Sequence, residues 1–393
     1  MSRGVYLSVA GFGLIAVCYG FARFAFGLFL PQIDAELSLS PTQSGLISGG
    51  SFFGYCIAIV LSAQLTERMG ARAVAIGAAL VAAVGMVGIA TAESPWWLAA
   101  AVMFAGSSTG LASPPMAAAV AEVIQPARQA AINTVINSGT SAGVVLSGPA
   151  ALLVAGQWRL AFAAFAGAAL VVGLAVARSV PGATRKGTKT ADSASLFTPA
   201  IQRLIVASFL LGMSSTAIWS FGSQLVTLRL DWDHVGGGLL WTVIGAAGIA
   251  GAAAGALVAR FGIDKVHWAS LGAMAMGILA VGTSITTPVA TFVGGALFGA
   301  AYIMLSGVYL VWGVVALPAR PATGLMIGFL TLAIGQTVGA PIFGLLMGWL
   351  PADAAVIVFA ALALGAGSAR AGGGARQPSR PAPTGGASTC LDH

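Results

Sequence analysis

The chain has 393 residues, of which 58% are hydrophobic and only 7% are charged. Soluble domains carry about 25% charged residues, so this composition excludes an ordinary soluble protein and indicates an integral membrane protein in the lipid bilayer. The formal charge of +7 would suit a nucleic-acid-binding protein. The basic residues fall in loops between apolar runs, however, and the C-terminal tail holds too few arginines for strong phosphate binding. No nucleic-acid partner is expected.

Twelve apolar runs along the chain are long enough to cross the hydrocarbon core as helices. They lack the alternation of polar and apolar residues that barrel strands would show. The predicted spans cover residues 7–31, 44–65, 73–92, 96–121, 129–155, 160–179, 201–227, 238–259, 266–285, 289–316, 322–349 and 352–369. The first run has no polar cleavage region after it, so we interpret it as a retained helix.

The basic residues indicate how the spans are oriented. With the N-terminus inside, 15 of the 18 Lys and Arg residues fall on the cytoplasmic side, whereas Arg159 and Arg229 fall outside and Arg23 stays in the membrane. This is the positive-inside pattern. We therefore expect a multi-pass protein of the plasma membrane, the inner membrane of a bacterium, with both termini cytoplasmic.

Two polar segments divide the chain. Residues 181–200 are predicted to form a central cytoplasmic loop between an N-terminal six-helix half, residues 1–180, and a C-terminal half, residues 201–370. Residues 371–393 have too little apolar surface to fold and are predicted to form a disordered cytoplasmic tail. The predicted fold class is an all-α integral membrane protein with two pseudo-symmetric six-helix halves.

A sequence repeat relates these halves. Three residues of the loop after the second span recur 192 positions later: Leu65, Arg68 and Gly70 correspond to Leu257, Arg260 and Gly262. The segment Gly139-Thr-Ser-Ala-Gly143 is echoed 196 positions later by Gly335-Gln-Thr-Val-Gly339. Two pairs at nearly one offset indicate an internal duplication.

The first of these loops, Ala63-Gln-Leu-Thr-Glu-Arg-Met-Gly-Ala-Arg72, resembles the loop signature of the major facilitator superfamily, Gly-x-Leu-Ala-Asp-Arg-x-Gly-Arg-Arg. Ala63, Glu67 and Ala71 depart from that pattern, and Ala259 replaces the acidic residue in the second copy. The resemblance extends over residues 5–370. It implies a bacterial twelve-helix transporter that works by alternating access on a small-molecule substrate. We expect a monomer.

The resemblance also assigns a gating role to the cytoplasmic loops. The predicted gating residues are Glu67, Arg68, Gly70, Arg72, Arg128, Arg260 and Gly262. In an outward-facing state, the Glu67 carboxylate is a candidate to clasp the halves through charge-assisted hydrogen bonds to arginines. The alternative is that Arg68 and Arg72 only set the topology.

Arg23 in the first span is the main candidate for substrate binding. A charged residue at the bilayer centre costs about 2.5–3.5 kcal/mol on insertion scales, so it is a functional-site hypothesis by default. A guanidinium binds carboxylates bidentately, which favours a small organic anion as substrate. The alternative is that Arg23 snorkels towards the outer surface.

Helices 1, 4, 7 and 10 mainly line the cavity in the family that the loop resembles. Further predicted substrate-binding residues are Tyr19, Trp219, Gln224, Tyr302 and, in helix 5, Asn137. Asn133 lies one turn from Asn137 on the same helix face, so the two amides are equally candidates for joining helices or for gating.

Acidic residues are missing from the middle of every span, so no buried carboxylate relay for protons is apparent. Coupling to protons stays open through Asp34 and Glu122, which lie at span ends. His267 lies at a span edge and is expected to be solvated. No grouping of residues suits a metal ion or a catalytic nucleophile, so neither a cofactor nor an enzyme is predicted.

Two other functions compete with the organic-anion transporter. Gly148-Pro149 in helix 5 is similar to a glycine–proline signature of drug exporters, which favours a proton-coupled exporter of amphipathic drugs or metabolites. The same pair is also explained by close helix packing. The more remote alternative is a membrane protein that does not transport, either a sensor or a membrane enzyme.

Overall fold

The computed structural model describes residues 3–182, 198–232, 234–318 and 320–372. Within these ranges the regular elements are all helical. The predicted tail from residue 373 and residues 183–197 of the predicted central loop lie outside the described residues.

In the described ranges, twelve helical rods follow one another and correspond to the twelve predicted spans. The first six are α1 (Gly4–Leu37), α2 (Pro41–Met69), α3 (Ala71–Ala90), α4 (Pro95–Val123), α5 (Pro126–Asn137 and Gly139–Leu153) and α6 (Trp158–Ser179). The second six are α7 (Pro199–Trp219 and Gly222–Leu230), α8 (Val235–Phe261), α9 (Ile263–Gly282), α10 (Pro288–Ala316), α11 (Pro321–Trp349) and α12 (Ala352–Gly365). In the described part of the chain, eight of the twelve are long and apolar enough to cross a membrane, and α12 is a shorter apolar helix.

Four of these helices begin with a hydroxyl residue followed by proline: Ser40-Pro41, Ser94-Pro95, Thr198-Pro199 and Thr287-Pro288. Each hydroxyl oxygen accepts a hydrogen bond from the backbone N–H three residues later. The proline has no N–H to leave unsatisfied in the first turn and already has a helical φ angle. These dipeptides therefore fix where α2, α4, α7 and α10 start.

The rod α1 changes its winding in the middle. Residues Ala16–Phe24 form a π-helical segment between two α-helical ones, and Arg23 lies in it. Gly20 in this segment packs against the backbone of Gly143 in α5, where a Cβ atom would overlap that backbone. π-Helical turns are rare and occur mostly at functional sites, so this segment directs attention to Arg23.

The two repeated loops have the same backbone conformation. Gly70 has φ 87° and ψ 155°, and Gly262 has φ 84° and ψ 160°. These angles are open essentially only to glycine. Both amides also cap the preceding helix, through bonds to the carbonyls of Thr66 and Val258. The 192-residue sequence repeat is thus a structural repeat.

Two ion pairs tie helices together at one end of the bundle. Arg159 on α6 pairs with Glu36 on α1 at 3.0 Å, and Arg229 on α7 pairs with Asp353 on α12 at 2.6 Å. Each arginine also donates to a backbone carbonyl, that of Ala92 after α3 for Arg159 and that of Gly282 in α9 for Arg229. We call this end of the bundle the outer end, because the topology prediction places it outside.

The two sets of helices contact each other closely at the outer end. Gly148 in α5 packs on Gly238 in α8, and Gly344 in α11 packs on Pro41 in α2. A Cβ atom at either Gly148 or Gly344 would overlap a carbonyl oxygen of the facing helix. Glycine is needed at both positions because a residue with a side chain would keep the two backbones further apart.

The bundle also exposes large apolar side chains over its outside surface. Leu153, Val171 and Ile285 are between 70% and 87% exposed. Many large apolar side chains exposed in this way are unusual for a soluble monomer, whereas a lipid-facing surface requires them.

Candidate substrate site

Arg23 lies in the interior of the bundle and is only 6% exposed. Its Nη2 atom donates to the Oε1 atom of Gln336 in α11, at 2.5 Å. The side chain therefore points across the bundle towards the second set of helices rather than along α1 towards the outer surface.

Aromatic rings surround the guanidinium. Its Cζ atom lies 4.6 Å from the ring centroid of Tyr55, 4.8 Å from Phe52, 5.2 Å from Phe24 and 5.7 Å from Tyr19. A cation over ring faces is attracted by their quadrupoles. Within the described residues, Arg23 belongs to neither ion pair, and its Nε atom has no hydrogen-bond partner. The charge is thus held by rings and an amide, without a carboxylate.

Gln336 is fully buried and connects Arg23 to two further helices. Its Nε2 atom donates to the Ser215 hydroxyl in α7, at 3.2 Å, and to the Tyr302 hydroxyl in α10, at 3.1 Å. The amide thus uses its oxygen for the cation and both its N–H groups for hydroxyl oxygens. One polar network therefore joins α1, α7, α10 and α11 at the centre.

Trp219 at the end of the first segment of α7 forms a wall beside this network. Its ring stacks on Phe24 at 4.2 Å and meets Tyr302 edge to face at 5.2 Å. The side chain is buried, and its indole N–H has no hydrogen-bond partner among the residues that the structure describes. A ligand with oxygen acceptors would find two free donors here, the Trp219 N–H and the Arg23 Nε–H.

The structure brings four of the six predicted substrate-binding residues together: Arg23, Tyr19, Trp219 and Tyr302. The Tyr19 hydroxyl also lies 3.0 Å from the Ser113 hydroxyl in α4, so a fourth cavity-lining helix reaches the same region.

The other two predicted residues lie elsewhere. Gln224 lies at the outer end, where its Nε2 atom donates to Asp34 at 2.7 Å. Asn137 is exposed at the break in α5. Gly139, two residues later, packs on the backbone of Phe12, which precedes Arg23 by 11 residues, more than two helical turns along α1. Neither amide is therefore placed at Arg23.

The residues at the site that the sequence analysis missed include Gln336, Phe52 and Tyr55. They lie on α2 and α11, which the family pattern treats as flanking helices. A signal existed for Gln336, since it is an amide inside an apolar span and within the Gly335–Gly339 echo. The two aromatic residues gave no such signal, because aromatic side chains are common throughout membrane helices.

The predicted gating residues do not form a clasp in this conformation. Glu67, Arg68 and Arg128 are exposed, and in the described ranges Glu67 takes part in no ion pair. Arg72 donates from Nε to the carbonyl of Val180, at 2.6 Å, which ties the start of α3 to the end of α6. Arg260 is exposed and lies over the ring of Phe261. Because the halves meet at the outer end here, a clasp in the opposite conformation stays a prediction.

Asp34 makes a second polar contact between the halves. Its two carboxylate oxygens accept from the Ser44 hydroxyl in α2, at 2.8 Å, and from Gln224 in α7, at 2.7 Å. The residue lies inside α1 rather than after it, because α1 continues through Pro31 to Leu37. Asp34 therefore holds α1, α2 and α7 together at the outer end.

The expectation that His267 is solvated is wrong. Its side chain is fully buried, and its Nε2 atom lies 3.0 Å from the Tyr309 hydroxyl in α10. The residue is only one turn from the start of α9, but that turn faces α10 instead of solvent. Position along a helix did not reveal which face the histidine occupies.

Comparison with known proteins gives two curated relatives, a gentisate transporter and a hexuronate transporter. The gentisate transporter of Corynebacterium glutamicum is 30% identical over 166 residues, which are 41% of this chain and 37% of that protein. The hexuronate transporter of Bacillus subtilis is 30% identical over 142 residues, 36% of this chain and 34% of that protein. The matched stretches thus span about a third of each relative's length.

Solved structures show the same fold at low sequence identity. A mutant of the nucleoside transporter NupG has a TM-score of 0.78 at 13% identity, covering 94% of this chain and 98% of that one. The xylose transporter XylE from E. coli, in a partially occluded inward open conformation, has a TM-score of 0.75 at 15% identity, covering 94% and 97%. The family model described as Major Facilitator Superfamily matches residues 12–333. The chain therefore belongs to the Major Facilitator Superfamily, a family of multi-pass membrane transporters.

Proposed function

We propose that the protein is a secondary transporter of small organic carboxylates that works by alternating access around Arg23. The observation that carries this proposal is a buried guanidinium at the centre of the bundle with no carboxylate partner among the described residues. An uncompensated buried charge is costly. A substrate carboxylate would supply the missing counter-charge and could use both edges of the guanidinium fork.

The surroundings of Arg23 support an organic anion over an inorganic one. The guanidinium lies among four aromatic rings, which offer apolar surface to a carbon skeleton. The free indole N–H of Trp219 is a further donor for a second oxygen of such a substrate. Sites for small organic ligands typically combine apolar walls with a few polar groups of this kind.

The relatives support the same substrate class. Gentisate is an aromatic carboxylate and a hexuronate is a sugar carboxylate, so the charged group that the two named substrates share is the carboxylate. A cationic anchor is the protein feature that matches this shared group.

In the proposed mechanism, the halves of residues 1–180 and 201–370 rock about the site of Arg23. The protein lies in the plasma membrane, the inner membrane in a bacterium, with both termini cytoplasmic and one chain as the transport unit. In that orientation a bundle closed at the outer end faces inward. Gly148, which would suit an exporter, packs α5 on α8 here, so its presence is explained without drug export.

The test compares ligand-induced thermal stabilisation of the purified full-length protein in detergent. Ligands that bind the folded state raise its stability by mass action. We expect gentisate or glucuronate to raise the melting temperature of the wild type, and Arg23→Gln to abolish the rise. Arg159→Gln is the matched control, because Arg159 is a partly buried arginine at the outer end and should leave the response intact.

Tetraphenylphosphonium, a lipophilic cation, distinguishes the exporter. Stabilisation by this cation that persists in Arg23→Gln, together with no response to either carboxylate, would contradict the proposed function.

A further inference from the structure

Gln336 lies next to Arg23 and accepts a hydrogen bond from its guanidinium. Its amide orientation is fixed by the network: the oxygen faces the guanidinium, and the N–H groups face the hydroxyls of Ser215 and Tyr302. A flipped amide would direct N–H donors at a cation that can only donate. The oxygen of Gln336 is therefore directed at Arg23 by chemistry as well as by packing.

Gln336 gives the Arg23 guanidinium a hydrogen-bond acceptor but does not neutralise its charge. An amide oxygen accepts a hydrogen bond from the guanidinium but carries no net charge, so a carboxylate competes successfully for the same donors. Gln336 is also fully buried on α11, whereas Arg23 belongs to α1. The bond that a carboxylate would displace is thus a bond between the two halves.

We propose that Gln336 is a stand-in ligand that occupies Arg23 when the carrier is empty and is released when a carboxylate binds. This inference rests on the proposed role of Arg23 as the carboxylate anchor. With Gln336 in place, the halves can close around an empty site without burying an unpartnered guanidinium. Gln336 is therefore a positioning residue that lets the empty carrier reorient, so that net transport proceeds as well as exchange.

The first test needs no ligand. Gln336→Glu converts the neutral contact into an internal ion pair, so the melting temperature of the ligand-free protein should rise. Arg23→Gln should remove that rise, because the new carboxylate then lacks its partner. Gln336→Leu should lower the melting temperature in the wild type and much less in Arg23→Gln. Gln224→Leu is the matched control, since it removes a bond between the halves at Asp34, and its effect should be additive with Arg23→Gln.

The second test measures two fluxes in proteoliposomes loaded with radiolabelled gentisate or glucuronate. Gln336→Leu should slow net efflux into carboxylate-free buffer at least tenfold, because each cycle includes the return of the empty carrier. Exchange against external unlabelled carboxylate should stay within about threefold of the wild type, because the carrier then returns loaded. Damage to folding or packing would slow both fluxes together.

The outcomes separate this inference from the proposed function. If Arg23→Gln keeps the carboxylate response, the proposed function fails. If Arg23→Gln loses the response but Gln336→Leu slows both fluxes equally or neither, only the role of Gln336 fails. If neither carboxylate stabilises the wild type, the proposed function fails and the stand-in ligand fails with it. If a carboxylate does stabilise the wild type, additive effects of Gln336→Glu and Arg23→Gln in the ligand-free protein overturn the stand-in ligand alone.

Discussion

At the outer end, α1–α6 and α7–α12 contain the same three-helix junction with its charges exchanged. In the first set, the arginine lies on α6 and the acid on α1, and the arginine also bonds the carbonyl that follows α3. In the second set, the arginine lies on α7 and the acid on α12, and the arginine bonds the last carbonyl of α9. Glu36 and Arg229 are 193 residues apart, and Arg159 and Asp353 are 194 apart, close to the offset of the repeated loops.

At the centre the halves differ. The residue 192 positions after Arg23 is Ser215, and the residue 196 positions before Gln336 is Thr140. The guanidinium and its amide partner each correspond to a small hydroxyl residue in the other half. The duplication has therefore kept the contacts that shape each half, even with the charges exchanged, and has diverged where the substrate is proposed to bind. Geometry constrains the periphery, whereas ligand chemistry constrains the centre.

Removing the charge of Arg23 should have the largest effect, a loss of carboxylate binding, because neither half then carries a charge at the centre. Truncating one partner of a buried charged hydrogen bond costs about 2–5 kcal/mol, so Arg23→Gln should weaken carboxylate binding by about 30-fold or more. Arg23→Lys should lie between Arg23→Gln and the wild type, because lysine keeps the charge but lacks the planar fork. Calorimetric titration with gentisate and glucuronate measures these affinities. Equal affinity in Arg23→Lys and the wild type would show that charge alone suffices.

The paired glycines between the halves offer the next test. Gly148→Val and Gly344→Val should each force the outer end apart, because the added side chain overlaps backbone that cannot yield. Overpacking costs about 1–3 kcal/mol, which shifts a two-state equilibrium by about 5- to 150-fold. Spin labels at the exposed positions Ala35 and Leu228 would report longer distances in both variants.

Gly77→Val is the control for this experiment, because a Cβ atom there meets nothing within 4 Å. Since Gly148 and Gly344 occupy corresponding places, an opening seen in only one of them would show that the two glycine contacts do not constrain the bundle equally.

Much of the fold could be predicted because membrane spans depend mainly on composition and length. The apolar runs predicted the twelve spans, and a nearly constant offset between matching residues predicted the loop repeat. The sequence predicts that the first span ends at residue 31, whereas α1 continues through Pro31 to Leu37. Prolines are tolerated within membrane helices when neighbouring groups satisfy the freed backbone, and a single sequence does not show those neighbours.

The candidate site was harder to predict, since it depends on depth and helix face. Arg23 was identified because a charge inside a span requires an explanation. Gln224 lies on a lining helix, but at the level of Asp34 instead of Arg23. Tyr55 and Gln336 reach the site only because α2 and α11 pack against each other. Sequence patterns identify the helices, whereas the contacts between helices determine which residues reach the site.

Two loop glycines should give matched, smaller effects on stability. Gly70→Ala and Gly262→Ala place a Cβ atom on a backbone with φ near +85°, which costs about 1–3 kcal/mol. The two costs should agree, because the backbone angles agree. Thermal unfolding in detergent measures them, with Gly272→Ala as control, since that helical position is open and alanine favours helix there. A loss of stability in only one of the two variants would show that the two repeated loops do not contribute equally to stability.

The smallest effect is expected from exchanging the charges of the first junction to match the second. Glu36 and Arg159 are 49% and 35% exposed at their side chains, and exposed pairs of this kind contribute about 0.2–1 kcal/mol. Glu36→Arg alone should lower the stability to unfolding, because it places two arginines together and removes the acceptor of the Trp158 indole N–H. Adding Arg159→Glu should recover part of the loss, since the second half already works with this polarity. A double-mutant cycle of thermal unfolding isolates the coupling. Zero coupling would show that the junction depends on its carbonyl bonds and packing, and that the exchanged charges of the two halves diverged because neither polarity was constrained.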